Sequence, residues 1–167
     1  MRKWCWLGPL FGLLLPVLAY AQDMSPKGVW SGGHGTAADG RPWFTMQMRL
    51  DEQSGRVTGE GEFKEVPHPP PGTPPGGIYS AIPWRVAVRL DGRYSAGTSD
   101  GFTTRTVELI GKGELVDATT RRPITLRYKL ELGANDCCLD GTYVADQDHG
   151  PVKAGQPVTI SVTRTRQ

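Results

Sequence analysis

Residues 97–101, Gly-Thr-Ser-Asp-Gly, match the G-x-S-x-G pattern that carries the nucleophilic serine of many hydrolases. Such a serine works on a tight turn between a strand and a helix, which lifts its hydroxyl above a parallel sheet. Residues 102–109 instead alternate like a further strand, so a Ser-Asp-Gly turn explains the pattern better. A hydrolase in which Asp140 and His149 assist Ser99 is therefore the least favoured function.

The three histidines, at positions 34, 68 and 149, fall between strand-like runs and lack the spacing of a short metal-binding motif. Residues 146–150 offer two carboxylates and one imidazole, fewer ligands than a calcium or zinc site requires. We therefore predict no metal site and no cofactor. The charged run itself is interpreted as a solvent-exposed loop.

Residues 1–21 have the pattern of a secretory signal peptide. Arg2 and Lys3 precede an apolar run over 6–18, and Ala-Tyr-Ala at 19–21 supplies the small residues that a signal peptidase recognises. Glycine and proline interrupt the run, which is too short to span a membrane comfortably. We predict cleavage before Gln22, no membrane insertion after cleavage, a periplasmic or secreted location, and one domain over 22–167.

Removal of this segment leaves an electrically neutral chain. The full sequence has 19 basic and 17 acidic residues, and the segment contains two basic residues and no acidic one. The mature chain therefore has 17 residues of each sign, interleaved along its length. This balance gives no electrostatic basis for binding nucleic acid or an anionic membrane.

Two adjacent cysteines, Cys137 and Cys138, remain in the mature chain. An oxidising compartment favours disulfide formation. Neighbouring residues of an extended strand, however, point to opposite faces and can be bridged only with backbone distortion. The sequence is therefore consistent with two interpretations, two separate thiols or a strained vicinal disulfide.

Apolar and polar residues alternate with a period of two over most of the mature chain, as is typical of half-buried antiparallel strands. The clearest runs cover 44–50, 84–90, 124–132 and 158–163, and weaker ones cover 29–31, 56–63, 104–116 and 138–144. Asp-Gly pairs at 39, 91, 100 and 140 predict tight turns, with Asp91-Gly92 the clearest hairpin. We predict an all-β fold, a single antiparallel up-and-down barrel of about eight strands, with a two-sheet β-sandwich as the alternative.

The inward face of the predicted barrel is bulky apart from two glycines. Gly59 and Gly61 fall on the same face as Val57 and Phe63. Missing side chains there either kink a strand so that a barrel closes or leave room inside it. Because burial of each large apolar side chain contributes about 1.5–3 kcal/mol, we expect a filled interior with at most a small pocket near these glycines.

Two connections are unusual in composition. Residues 31–40 are rich in glycine, and residues 66–77 contain six prolines. The proline-rich segment cannot join a β-ladder and is expected to form polyproline II at the surface. A stiff connector is the simpler interpretation, and a lid or partner-contact loop is the alternative.

The segment Gly28-Val29-Trp30, at the start of the first predicted strand, resembles the G-x-W motif of the calycins, the lipocalin and avidin-like barrels. The resemblance implies that Trp30 closes one end of a barrel and stacks against a late arginine, which would be Arg164 or Arg166. The lipocalin T-D-Y motif is absent, although the sequence at residues 140–143, Asp-Gly-Thr-Tyr, is common in such barrels. The resemblance implies an up-and-down barrel that binds a small apolar molecule.

We predict a non-catalytic binding role, for a small apolar ligand. The alternative is an extracytoplasmic protein-interaction or inhibitor module that uses the proline-rich loop or an exposed strand edge. The predicted lining or mouth residues are large apolar and aromatic side chains: Trp30, Trp43, Phe44, Met46, Met48, Trp84 and Tyr128. For each of them, ordinary core packing is the competing interpretation.

Overall fold

The described part of the protein consists of antiparallel strands. A computed structural model describes residues 24–35, 42–67, 84–99, 101–118 and 120–165. The strands are β1 (Gly28–His34), β2 (Phe44–Gln53), β3 (Arg56–Glu65), β4 (Arg85–Ser99), β5 (Phe102–Asp117), β6 (Thr120–Leu132), β7 (Cys138–Ala145) and β8 (Pro157–Arg164). Within these ranges no helix is long and apolar enough to cross a bilayer.

Several features predicted from the sequence lie outside the described residues. They are the signal peptide at 1–21, the Asp-Gly pair at 39, most of the proline-rich segment from 68 onward, and Arg166. The predictions for these features therefore stay predictions.

The strands form one closed barrel in which each strand pairs with the next and β8 returns to β1. The closing seam joins Trp30 to Arg164 and Ser31 to Thr163 as register partners. This arrangement confirms the predicted all-β, up-and-down barrel of eight antiparallel strands, and the chain does not form the alternative two-sheet sandwich. Closure pairs each barrel strand on both sides, which removes the unpaired edges of an open sheet.

Strand alternation decides which side chains enter the barrel. In β2, Phe44, Met46 and Met48 are buried, whereas the residues between them are exposed, because successive side chains point to opposite faces of a sheet. The same pattern recurs in β6. Inward side chains from all eight strands join in one core cluster.

The described interior is filled, as predicted. A Cβ atom placed on Gly61 would lie 3.2 Å from Val88 Cγ2 and 3.5 Å from Leu90 Cδ1, and one on Gly59 would overlap backbone of β2. Neighbouring side chains and backbone therefore occupy the space beside these two glycines, where at most a small pocket was expected. A concavity of about 780 Å³ does lie on the outer surface of β2–β5, bordered by charged side chains.

The barrel has two ends with different connections. The β2–β3, β4–β5 and β6–β7 connections lie at one end, together with residues 24–27 and Arg164; we call this the closed end. The β1–β2, β3–β4, β5–β6 and β7–β8 connections lie at the other, which we call the loop end. Of the two segments with unusual composition, residues 31–34 belong to β1, and the other residues of 31–40 and 66–77 lie in sequence between β1 and β2 or between β3 and β4.

The hairpin predicted at Asp91-Gly92 is wrong. Strand β4 runs straight through this pair, and β7 likewise runs through the pair at Gly141. A Cβ on Gly92 would overlap the backbone oxygen of Glu108 in β5, so glycine is needed here for close strand packing rather than for a turn. Gly101, the described residue of the pair at 100, does lie between two strands and has a φ of +78°.

We expect Gly92→Ala to destabilise the barrel and Gly97→Ala, in the same strand, to be tolerated. A Cβ at position 97 meets nothing within 4 Å, in contrast to the overlap at position 92. The free energy of unfolding should fall by roughly 2 kcal/mol or more for Gly92→Ala and change by less than about 1 kcal/mol for Gly97→Ala. Urea denaturation of the two variants measures this, and equal midpoints would contradict the β4–β5 register.

Candidate functional site

Trp30 closes one end of the barrel together with Arg164. The Trp30 side chain is fully buried, and its Nε1 donates a hydrogen bond of 2.8 Å to the Pro26 carbonyl oxygen. The guanidinium carbon of Arg164 lies 4.6 Å from the centroid of the Trp30 ring, within the range of a cation–π contact. Arg164 Nη2 also donates to the Ser25 carbonyl oxygen at 2.6 Å. The contact implied by the calycin resemblance is thus present, and it assigns Trp30 to the closed end.

Five aromatic side chains form a closed circle of ring contacts at the loop end. Going round, the centroid separations are 5.8 Å from Phe44 to Phe63, 5.4 Å to Tyr143, 5.9 Å to His149, 5.3 Å to Trp84, and 5.7 Å back to Phe44. These separations fall in the range of attractive tilted and edge-to-face ring pairs. We call this group the aromatic circle.

The barrel strands position four of these rings, all except His149, at inward sites in or directly beside strand ends close to the loop end. Phe44 opens β2, and Phe63 and Tyr143 lie near the ends of β3 and β7. Tyr128 of β6 is the register partner of Tyr143, and its ring centroid lies 5.8 Å from that of Tyr143 and 6.4 Å from that of Phe63. Trp84 directly precedes β4.

Three of the predicted lining residues therefore meet at the loop end, namely Phe44, Trp84 and Tyr128. Met46 and Met48 follow Phe44 on the inward face of β2 and are buried in the core. These two methionines contribute to the packed interior beneath the circle.

Trp43 lies at the rim of the loop end rather than inside the barrel. Its side chain is 43 % exposed, and its backbone N–H donates to the His34 carbonyl oxygen at 2.8 Å. Its ring covers Gly35, where an added Cβ would overlap Trp43 Cδ1. Trp43 therefore lies at the mouth of the barrel, and the predicted set was expected to contain residues that either line the interior or lie at the mouth.

The β7–β8 connection, residues 146–156, covers the aromatic circle; we call it the cap loop. His149 and Val152 form a two-residue bridge with backbone hydrogen bonds of 3.1 and 3.0 Å. The Asp148 carboxylate accepts hydrogen bonds from Ala154 N and Lys153 Nζ at 2.8 and 2.9 Å. The cap loop is therefore an ordered lid with its own hydrogen bonds.

The interpretation of the 146–150 run as a solvent-exposed loop is wrong for His149. Its side chain is only 3 % exposed, because the cap loop folds it inward against Trp84 and Tyr143. Asp146 and Asp148 serve as hydrogen-bond acceptors that hold the loop, with Asp146 Oδ1 accepting from Thr125 N at 2.8 Å.

The ionisable groups of the site are held neutral by burial. His149 Nε2 lies 3.0 Å from the Tyr143 hydroxyl, and Nδ1 lies 3.2 Å from the Gln147 carbonyl oxygen. A carbonyl oxygen only accepts, so Nδ1 carries the proton and Nε2 accepts from Tyr143. Burial lowers the pKa of His149 and raises the pKa of both Tyr143 and Tyr128.

Two hydrogen-bond donors in this neutral site lack a partner among the described residues. They are the indole Nε1 of Trp84 and the hydroxyl of Tyr128, whose side chains are more than nine-tenths buried. The backbone of Gly150 in the cap loop lies directly over the Trp84 nitrogen, where a Cβ would overlap it. Buried donors are satisfied in most native structures, and leaving one unsatisfied costs about 1–3 kcal/mol.

The residues considered for hydrolysis are not assembled among the described residues. Ser99 pairs with Phe102 across a hairpin and so does not open a helix. The hairpin belongs to the closed end, whereas His149 lies at the loop end and is bonded to Tyr143. In the described ranges no group of three or more His, Cys, Asp or Glu residues could hold a metal ion.

Three members of the site were not predicted from the sequence: Phe63, Tyr143 and His149. Phe63 and Tyr143 lie on runs that were predicted as strands, so their inward positions were available from alternation. His149 gave no such signal, because its burial depends on how the cap loop folds over the barrel.

The fold and this site define a class of protein: a closed up-and-down β-barrel with a capped aromatic cluster at one end, compatible with the calycin architecture. Comparisons with protein-family models, with curated proteins and with solved structures found no match to this chain. The geometry of the site itself is therefore the basis for assigning a function.

We predict that His149 makes the barrel less stable in mild acid. Its folded-state pKa lies below the ordinary value of 6.5, so the unfolded chain takes up a proton first as the pH falls. The free energy of unfolding should decrease as the pH falls through 6.5 and level off below the folded pKa.

His149→Gln removes this titration and provides the comparison. Urea denaturation of both proteins at pH values from about 8 to 5 should show a steeper loss of stability in the native protein. Parallel profiles for the two proteins would contradict a buried, neutral His149.

Proposed function

We propose that this protein is an exported, calycin-like barrel that binds a small apolar ligand at its loop end without catalysing a reaction. The observation that supports this function most directly is that two buried donors, Trp84 Nε1 and the Tyr128 hydroxyl, have no hydrogen-bond partner in the part of the chain that the structure describes. A fold selected only for stability would place apolar groups at these positions, because an unsatisfied buried donor costs free energy. A ligand with hydrogen-bond acceptors offsets that cost.

The chemistry of the site selects a neutral, flat ligand. The aromatic circle contains no charged side chain, and burial keeps His149 neutral. Transfer of a carboxylate or ammonium group into such surroundings without a counter-charge is strongly unfavourable. Indole N–H is a donor only, so the ligand should present a carbonyl or ether oxygen on an aromatic body that stacks on the rings.

Entry of a ligand requires movement of the cap loop, since the described interior is filled. The loop covers Trp84 through Gly150 and closes the circle through His149. Its attachment to the barrel includes the hydrogen bonds Asp146 N to Thr125 O at 3.1 Å and Gly155 N to Ala145 O at 2.8 Å. Local opening of such a loop costs less than global unfolding, and the loop can then close over the ligand.

A matched pair of probes tests this proposal. Fluorenone and fluorene have the same ring system, but only fluorenone carries a carbonyl oxygen. One added buried hydrogen bond contributes about 1.4 kcal/mol of binding free energy, which corresponds to a tenfold change in Kd. We therefore expect titration calorimetry to show that fluorenone binds about tenfold more tightly than fluorene. Equal affinities, or no binding of either compound, would contradict the proposal.

Two tyrosine variants provide the control on the protein side. Tyr128→Phe should reduce the preference for fluorenone while keeping or raising the stability of the unliganded protein, because it removes an unpartnered hydroxyl. Tyr143→Phe should lower stability instead, because it breaks the hydrogen bond to His149. A Tyr128→Phe variant that loses stability would indicate that this hydroxyl already has a structural role.

A second candidate function, a protein-interaction module, is favoured by the β4–β5 hairpin. Pairing of β3 with β4 ends at Arg93, and pairing of β5 with β6 begins at Thr106. Within the described residues, the intervening segments 96–99 and 102–105 therefore pair only with each other and project from the closed end as a two-stranded ribbon. Residues 95–99 contain no charge and no proline, the usual protection of a free strand edge.

This ribbon suits an extended segment of another extracytoplasmic protein, added as a further strand. Phe102, at the ribbon tip, is 77 % exposed and offers an anchor for such a partner.

A photo-crosslinking residue at position 102 tests this alternative in the native host. We expect one specific partner to be captured, and the adduct to be lost when Thr98→Lys places a charge on the free edge. The control places the same crosslinker at Arg121, an exposed position at the loop end. The same products at both positions, or products that survive Thr98→Lys, would contradict the interaction module.

A further inference from the structure

Cys137 and Cys138 hold their sulfur atoms together on one side of the chain. The two Sγ atoms are 3.4 Å apart and both cysteines are free thiols. The rule that neighbouring side chains in a strand point to opposite faces does not apply to this pair, because Cys137 precedes β7 and only Cys138 belongs to the strand. The vicinal disulfide stays a prediction.

The β6–β7 turn explains why the sulfurs converge. Asp136 adopts a φ of +51°, Asp136 N donates to Gly133 O at 3.0 Å, and Gly133 N donates to Cys138 O at 2.9 Å. A Cβ on Gly133 would lie 2.5 Å from Cys138 Sγ, so glycine leaves the space that this sulfur occupies. Cys137 is exposed and Cys138 is half-buried.

We propose that Cys137 and Cys138 form a chelating dithiol site for a trivalent thiophilic centre, of the class of organoarsenic(III) oxides. If one atom lay 2.3 Å from both sulfurs, a usual metal–thiolate distance, the observed sulfur separation would give a sulfur–atom–sulfur angle of about 95°. A disulfide instead requires the sulfurs to approach to about 2.05 Å, with strain for neighbouring residues. Chelation therefore uses the geometry present, whereas oxidation must distort it.

The two cysteines are free thiols, and this favours an oxide over a bare metal cation. A cation must displace the thiol protons, because the thiolate is the ligand form. An arsenic(III) oxide carries its own proton acceptor: two S–H bonds and the arsenic–oxygen bond break, two arsenic–sulfur bonds form, and water leaves with both protons. No electron is transferred.

The dithiol is linked to the closed end of the barrel and not to the aromatic circle. The Cys137 carbonyl oxygen accepts a hydrogen bond from Arg164 N at 2.9 Å, and Asp136 Oδ2 lies 3.9 Å from Arg164 Nη2. The same arginine stacks on Trp30. The site therefore stands independently of any ligand at the loop end.

Phenylarsine oxide is the probe that tests this proposal. The experiment uses the full chain with Cys5→Ser, so that the thiol count depends only on Cys137 and Cys138. We expect two titratable thiols before treatment, none afterwards, and the mass of one phenylarsenic group added per chain. Cys137→Ser and Cys138→Ser should each bind the reagent about 100-fold more weakly or worse, because the second bond is no longer intramolecular.

Reversal of the adduct gives a measurement that needs no variant. A dithiol such as dithiothreitol should remove the phenylarsenic group, whereas an equal concentration of thiol groups from 2-mercaptoethanol should not. Absence of an adduct, equal affinity in the single-cysteine variants, reversal by the monothiol, or no free thiols before treatment would each overturn the proposal. The last result would show the disulfide to be the resting form.

Discussion

The seam between β1 and β8 is the constraint on which the other features of this protein depend. Trp30 and Arg164 are register partners across it and also stack at 4.6 Å, so the same two residues close the sheet and one end of the barrel. Once the sheet is closed, its interior has a fixed volume that inward side chains must fill. The ring of Tyr128, for example, lies beside a glycine of the neighbouring strand, since a Cβ on Gly111 would be 3.3 Å from Tyr128 Cε2.

The alternation of apolar and polar residues was enough to predict the barrel, but Asp-Gly pairs did not predict correctly where strands end. The predicted run that begins at Trp84 appeared to stop at Asp91-Gly92, because this pair often forms a tight turn. The strand instead continues through this pair and stays in register with β5. The close approach of the Glu108 backbone requires a glycine at position 92, inside the strand. Such a requirement depends on a neighbouring strand and is invisible in a local pattern.

The candidate site was predicted in part, and the missing part has a physical reason. Phe44, Trp84 and Tyr128 were identified by size and by their inward positions, which are local properties. The aromatic circle also needs His149, whose burial results from hydrogen bonds within the cap loop. The convergence of Cys137 and Cys138 similarly depends on one left-handed residue in the preceding turn.

The position of the seam has a consequence for how the chain reaches its folded state. Arg164 follows Trp30 by more than a hundred residues, and pairings of such wide sequence separation form late because a large loop must first be ordered. Until β8 has been made, β1 has a single neighbour and Trp30 has no arginine over its ring. Barrel closure therefore has to wait for β8, and the nascent chain must avoid aggregation while its first strand remains unpaired on one side.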